Sequence, residues 1–141
     1  GKSFVMADIP GLIEGAHEGR GLGHKFLRHV MRTNLLVHLI DASKIDPQDP
    51  LADWKVVNRE LELFEPELGA KPQLVVANKL DLPEARAKAK MLAKKLPRHC
   101  RPLHEVSAAT GEGVKALVQT IGRKLDELKR VDEASLDAAR F

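Results

Sequence analysis

Two short polar loops, each following an apolar run, carry residue types suited to chemistry. Asn78-Lys79-Leu80-Asp81 follows Leu74-Val75-Val76-Ala77. The Asp81 carboxylate can accept two hydrogen bonds from guanine, one from the ring N–H and one from the exocyclic amine. Adenine presents neither donor in that arrangement and leaves a poorly paired carboxylate, a penalty of roughly 1–3 kcal/mol or more. The aliphatic stem of Lys79 can cover the base while its ammonium meets nearby oxygens. Taken alone, the tetrapeptide is equally a solvated strand-to-helix turn.

The second loop is Asp8-Ile9-Pro10-Gly11, after the apolar run Phe4-Val5-Met6-Ala7. A carboxylate at a strand end suits magnesium, directly or through one of the waters that this ion is slow to lose. Gly11 has no side chain, so its backbone N–H can approach a terminal phosphate closely. The bland alternative is an Asp-Pro-Gly turn leaving a core strand. Ser107-Ala108-Ala109-Thr110-Gly111 adds a third loop, whose backbone N–H groups can reach the guanine carbonyl oxygen past small side chains. In this order the loops specify a guanine nucleotide site for GTP or GDP with Mg2+. The candidate nucleotide-binding residues are Asp8, Pro10, Gly11, Asn78, Lys79, Asp81, Ser107, Ala108 and Ala109, with Asp8 serving the metal.

The stretch Phe4–Ser43, FVMADIPGLIEGAHEGRGLGHKFLRHVMRTNLLVHLIDAS, resembles the Obg family of GTPases, within the wider class of small G domains. Its segment DIPGLIEGAHEGRGLGHKFLRH is the specific part, a glycine-rich switch followed by a basic helix. The resemblance runs from residue 1 to about 128 and makes this region a partial G domain, with the second switch at 8–23. Residues 129–141 are left as a helical or disordered tail. The fold it implies is a three-layer α/β domain like that of P-loop NTPases, with a mostly parallel sheet. The implied activity is hydrolysis of GTP to GDP and phosphate with magnesium, by a slow molecular switch. The implied partner is the large ribosomal subunit or an assembly intermediate of it. The alternative is a non-enzymatic interaction module derived from a G domain.

Residue 12 is leucine, where Ras-like enzymes place the glutamine that orients attacking water. Leucine neither donates nor accepts a proton. Hydrolysis should therefore be slow, or should use Glu14 or His17 of the glycine-rich loop, or a group in trans. His17 is as readily a solvated loop histidine. Gly11, Gly15, Gly19, Gly21 and Gly23 favour a segment of low local stability that orders when a phosphate arrives.

No complete G-x-x-x-x-G-K-[ST] phosphate loop occurs in the chain. Gly1-Lys2-Ser3 imitates the end of one, but a phosphate loop needs a strand before it and a helix after it. Here the triplet leads straight into a strand. At about 3.3 Å per residue, Lys2 lies roughly 20 Å behind Asp8, too far to share a phosphate and magnesium with it. The phosphate loop and first switch are expected upstream, so these residues are expected to be a portion of a longer protein; the alternatives are a central strand supplied by another chain, by domain swapping or by a rearrangement.

Composition sets the frame. A length of 141 residues with 43% apolar content suits one globular core. The single cysteine, Cys100, allows no internal disulfide and fits a reducing compartment, so a cytoplasmic location is expected. No apolar run approaches the roughly 20 residues needed to span a membrane. The balance of 23 basic to 20 acidic residues, +3 net, permits an RNA-rich partner, and no motif for reading a DNA sequence is present.

These loops need a scaffold of alternating strands and helices. Leu35–Ile40 is nearly continuous apolar sequence, as expected of a parallel strand buried on both faces. Asp49 can cap the next helix with Pro50 at its first position. Trp54, Val57, Leu61 and Phe64 then recur at helical spacing. A strand is predicted over Gln73–Ala77, a helix from about Glu84 to Leu96 burying Ala85, Ala89, Leu92 and Leu96, and a short strand near Leu103–Val106. The last helix carries Val114, Leu117, Val118, Ile121, Leu125 and Leu128 on one side. Such alternation predicts a doubly wound sheet. In folds of this class the strand feeding the phosphate loop lies centrally. Without it, an open slot is expected between the strands ending at Asp8 and Asp41, with costly unpaired edges.

Overall fold

The computed structural model describes residues 34–139. The expectations for Gly1-Lys2-Ser3, for Asp8, Pro10, Gly11, Glu14 and His17, and for the slot beside the Asp8 strand fall outside the described residues.

Strand β1 (Leu36–Asp41) pairs in parallel with β2 (Gln73–Asn78), and β2 pairs in parallel with β3 (His104–Glu105). Parallel neighbours cannot be joined by a tight turn, so helices must carry each connection. Between β1 and β2 run α1 (Ala52–Phe64) and the short α2 (Pro66–Gly69); between β2 and β3 runs α3 (Pro83–Lys95). Helix α4 (Val114–Ala139) follows β3 and continues without a break past residue 128. The result is a three-layer α/β fold with a parallel sheet, the class that the alternation predicts.

The strand pleat explains the core. Val75 and Ala77 of β2 project to one face, where they pack with Ile40 of β1 and with Ala85, Ala89 and Leu92 of α3. Those α3 residues recur at the spacing of one helical face, and each is fully buried. Pro83 opens α3 at the position where a missing N–H costs nothing. Trp54 of α1 packs against the same cluster. A buried polar link ties α1 to the start of β2: Gln73 Nε2 donates to Asn58 Oδ1 at 2.7 Å, and Asn58 Nδ2 donates to the Trp54 carbonyl at 2.9 Å. Cys100 belongs to this core, and burial raises its thiol pKa although the Trp54 indole opposes the shift. It is an inert packing thiol.

Two local expectations are overturned. Helix α1 begins at Ala52 rather than Pro50, and its N-cap position is Leu51, without a side-chain cap. Asp49 is instead drawn into a tight turn, with its N–H on the Asp46 carbonyl and its own carbonyl accepting from Ala52. The Asp46 carboxylate braces that turn by accepting from the Gln48 N–H at 2.9 Å. The second departure concerns β1. His38 and Ile40 turn inward, while Val37 and Leu39 on the opposite face are 36% and 58% exposed. An apolar run shows that both faces are suited to burial, but a covering layer must come from elsewhere in the chain. Among the described residues, none covers Val37 and Leu39 fully.

The loop before α4 depends on two glycines with positive φ, Gly111 at 84° and Gly113 at 75°. A Cβ at Gly113 would collide with the backbone carbonyl oxygen of Glu105, whereas one at Gly111 would meet nothing within 4 Å. Gly113→Ala is therefore expected to destabilise the chain by about 2 kcal/mol or more, adding a collision to backbone strain. Gly111→Ala should cost only the strain, about 1 kcal/mol. Urea denaturation of both variants checks the order, and equal losses would show that the close approach at Glu105 is unimportant.

Candidate nucleotide site at the carboxyl edge of the sheet

Because all three strands run the same way, their carboxyl ends share one edge of the sheet. In open α/β sheets that edge is where ligands bind. The β1–β2 register sets Asp41 directly beside Asn78. The Val106 N–H donates to the Ala77 carbonyl at 2.9 Å, which brings Ser107 to the same edge. Two of the predicted loops, 78–81 and 107–109, therefore meet in space.

The first loop turns sharply at Lys79, whose φ of 69° lies in the left-handed region that a residue with a Cβ seldom occupies. That reversal buries Leu80, whose N–H donates to the Val106 carbonyl at 3.2 Å, and leaves Asp81 exposed. Leu80 thus anchors the loop while its polar neighbours stay at the surface.

Two side-chain bonds then lock the loops together. Ser107 Oγ donates to Asp81 Oδ1 at 2.7 Å, and the Ala108 N–H donates to Asn78 Oδ1 at 3.0 Å. Ser107 is fully buried and also closes its own loop, accepting from the Gly111 N–H at 2.8 Å and donating its N–H to the Glu112 carbonyl at 2.9 Å. A buried hydroxyl thus holds one oxygen of the exposed Asp81 carboxylate at the carboxyl edge of the sheet. The Ala108 N–H, expected to serve the guanine carbonyl, is engaged by Asn78 in this structure. For Ala108 to meet a base oxygen, the Asn78 amide must turn away.

Sequence reasoning missed the groups behind this edge. Lys79 Nζ lies 2.9 Å from Asp41 Oδ2. Asp41 Oδ1 accepts from the Ser43 N–H at 3.0 Å and from Ser43 Oγ at 2.6 Å. Lys88 of α3 donates to the Ser43 carbonyl at 2.8 Å. Burial alone would raise the Asp41 pKa, but the bonds from Ser43 and Lys79 outweigh it and hold the carboxyl below its ordinary value. One guanidinium nitrogen of Arg86 on α3 donates to both carboxylate oxygens of Glu112, at 2.9 and 3.1 Å, and ties the 107–113 loop to α3. An acidic residue ending an apolar strand was the available signal for Asp41, the same pattern that singles out Asp8.

The exposed Asp81 carboxylate, its buried hydroxyl partner and the small-residue loop beside it lie together at this edge. Among the described residues, no group of three or more His, Cys, Asp or Glu side chains is placed to hold a metal ion. No helix among them is long and apolar enough to cross a membrane.

Comparison with known proteins places the chain in a family. Residues 1–79 match the family described as 50S ribosome-binding GTPase. The chain is 51% identical over 135 residues to the GTPase Obg of Roseiflexus castenholzii, an alignment covering 96% of the chain and 31% of that protein. It is 52% identical over 128 residues to the GTPase Obg of Desulforudis audaxviator, covering 91% and 30%. The GTPase Obg of Alkaliphilus oremlandii is 46% identical over 139 residues, covering 99% and 32%. The chain thus spans about a third of the length of these relatives. With this likeness extending over nine-tenths or more of its length, the chain belongs to the Obg family of GTPases.

Proposed function

We propose that the full-length parent of this chain binds guanine nucleotides and hydrolyses GTP to GDP and phosphate with magnesium, as a slow molecular switch in the assembly of the large ribosomal subunit. The observation that carries the guanine part is the Ser107–Asp81 contact at 2.7 Å, which presents an oriented carboxylate at the carboxyl edge of a parallel sheet. The described residues contribute recognition rather than bond cleavage. Asp81 accepts from the base edge, the Lys79 stem covers the base plane, and Leu80 fixes the loop from below. Asn78 holds the two loops at a set separation through the Ala108 N–H.

The remaining roles rest on the sequence and the family. Asp8 would hold magnesium, Gly11 would sense the terminal phosphate, and Glu14 or His17 would act near the attacking water. Bound magnesium supplies charge neutralisation at the phosphates. Ribosomal action is supported by the matched family, whose description names 50S ribosome binding. Ordering of the glycine-rich 8–23 segment by a terminal phosphate would then make or remove a partner surface.

Calorimetric titration with GTP and magnesium, on the parent and on residues 1–141 alone, tests this reading. The parent is expected to bind GTP in preference to ATP and to turn it over slowly. The shorter chain should bind far more weakly, because a phosphate cradle supplies the main backbone anion contacts. Comparable micromolar affinity in both would place the phosphate site within residues 1–141 and return attention to Gly1-Lys2-Ser3. A parent that does not distinguish GTP from ATP would refute the assignment of Asp81.

A further inference from the structure

We infer that Asp41 is a positioning residue for nucleotide recognition: it holds the Lys79 side chain across the mouth of the site before any base arrives. This rests on the guanine reading above and adds a residue to it. Lys79 is about half exposed and Asp41 about one quarter, so the pair lies at the rim of the site, open to water on the lysine side.

Three observations converge on this role. The first is the contact itself, with Lys79 Nζ 2.9 Å from Asp41 Oδ2. The second is that Asp41 is not free to swing, because its other oxygen is bound by both the N–H and the hydroxyl of Ser43, and Lys88 clasps the Ser43 carbonyl. The third is the placement of Lys79, which follows Asn78 in a left-handed turn at the end of β2, where the β1–β2 register sets Asn78 directly beside Asp41. A lysine stem has many rotamers, and ordering it on binding has an entropic cost. An ion pair made in the empty protein removes part of that cost in advance, so the stem is already laid out as a platform for the base. The remaining contacts do not require a charged residue at position 41. Asparagine could accept from Ser43 equally well, and only the Lys79 pair needs the carboxylate.

The test is a double-mutant cycle in the full-length parent, read by calorimetry with GDP and magnesium and by the thermal midpoint of the nucleotide-free protein. Asp41→Asn is expected to weaken GDP binding about fivefold, the upper range for a partly exposed ion pair. It should leave the midpoint unchanged and have no effect on affinity in a Lys79→Ala background. An equal loss in that background, or unchanged affinity in folded Asp41→Asn, overturns the inference. Should Asp41→Asn lower the midpoint sharply, Lys79→Met breaks the same pair while keeping the apolar stem. A matching loss of GDP affinity then supports the positioning role, and wild-type affinity overturns it. A wild-type parent that binds ADP as well as GDP overturns the guanine reading and this inference with it, whereas loss without coupling to Lys79 overturns this inference alone.

Discussion

Asp81→Asn in the full-length parent is expected to weaken GTP binding by at least about 100-fold while improving the relative binding of xanthosine triphosphate. Two hydrogen bonds to a charged acceptor contribute about 1.5–3 kcal/mol each, so replacing that acceptor with an amide at the guanine edge removes a large share of the discrimination. Xanthine carries a carbonyl where guanine carries the exocyclic amine, and the amide N–H of asparagine can donate to it. The fold should tolerate the change. Ser107 Oγ donates to Asp81 Oδ1, and an asparagine Oδ1 can accept that same bond. Competition binding with the two nucleotides checks the result, and unchanged GTP affinity with no gain for the xanthine nucleotide would end the assignment. Ser107→Ala offers a second arm. It keeps the carboxylate but frees its orientation, and should weaken GTP binding without producing any preference for xanthine.

A second large effect is expected on stability as pH falls. His38 lies on the inward face of β1, and its Nδ1 is buried without a hydrogen-bond partner. Burial pushes its pKa from 6.5 down to about 4, only partly offset by the Asp53 carboxylate on α1. The folded state thus resists protonation that the unfolded chain accepts. Above pH 6.5 both states are neutral at this residue and nothing is lost. Between pH 6.5 and 4 the unfolded chain binds a proton that the folded chain does not, so stability declines through that window. The full loss is about 3 kcal/mol, and about 2.5 kcal/mol has gone by pH 4.5. His104 is also lowered by burial and acts in the same direction, so a variant must isolate His38. Urea denaturation of wild type and His38→Leu at pH 7 and pH 4.5 does so. The variant should lose about 2.5 kcal/mol less between the two conditions, and parallel losses would mean that His38 finds solvent or a partner on protonation.

These two residues show how differently the sequence speaks about function and about stability. Asp81 is legible because its chemistry is local: an acidic side chain at a fixed offset from Asn78, directly after an apolar strand. His38 sits in an apolar run in which every residue is suited to a strand, and nothing along the chain distinguishes its inward face from the outward face of Val37 and Leu39. The direction of the pleat is decided by what packs on each side.

Much of the scaffold could be read from periodicity and apolar runs alone. The β2 strand, the buried Ala85–Ala89–Leu92 face of α3 and the parallel alternation follow from local patterns that each segment expresses by itself. So does the presence of polar loops after strands, because a motif's residues are neighbours in the chain. Tertiary structure alone decided which loops touch. Asp81 meets Ser107 26 residues away, and Asn78 meets Ala108 30 residues away, only because β2 and β3 pair in one register. Asp41 reaches Lys79 because the register of β1 and β2 sets Asp41 beside Asn78, and the left-handed turn at Lys79 accompanies the burial of Leu80. Asp49 does not cap the helix because it is held in the turn that starts at Asp46, where its carbonyl rather than its carboxylate accepts from the Ala52 N–H. Local preferences choose among elements, whereas register and covering layers are set by the total surface buried when all elements pack at once, a quantity that no single segment contains.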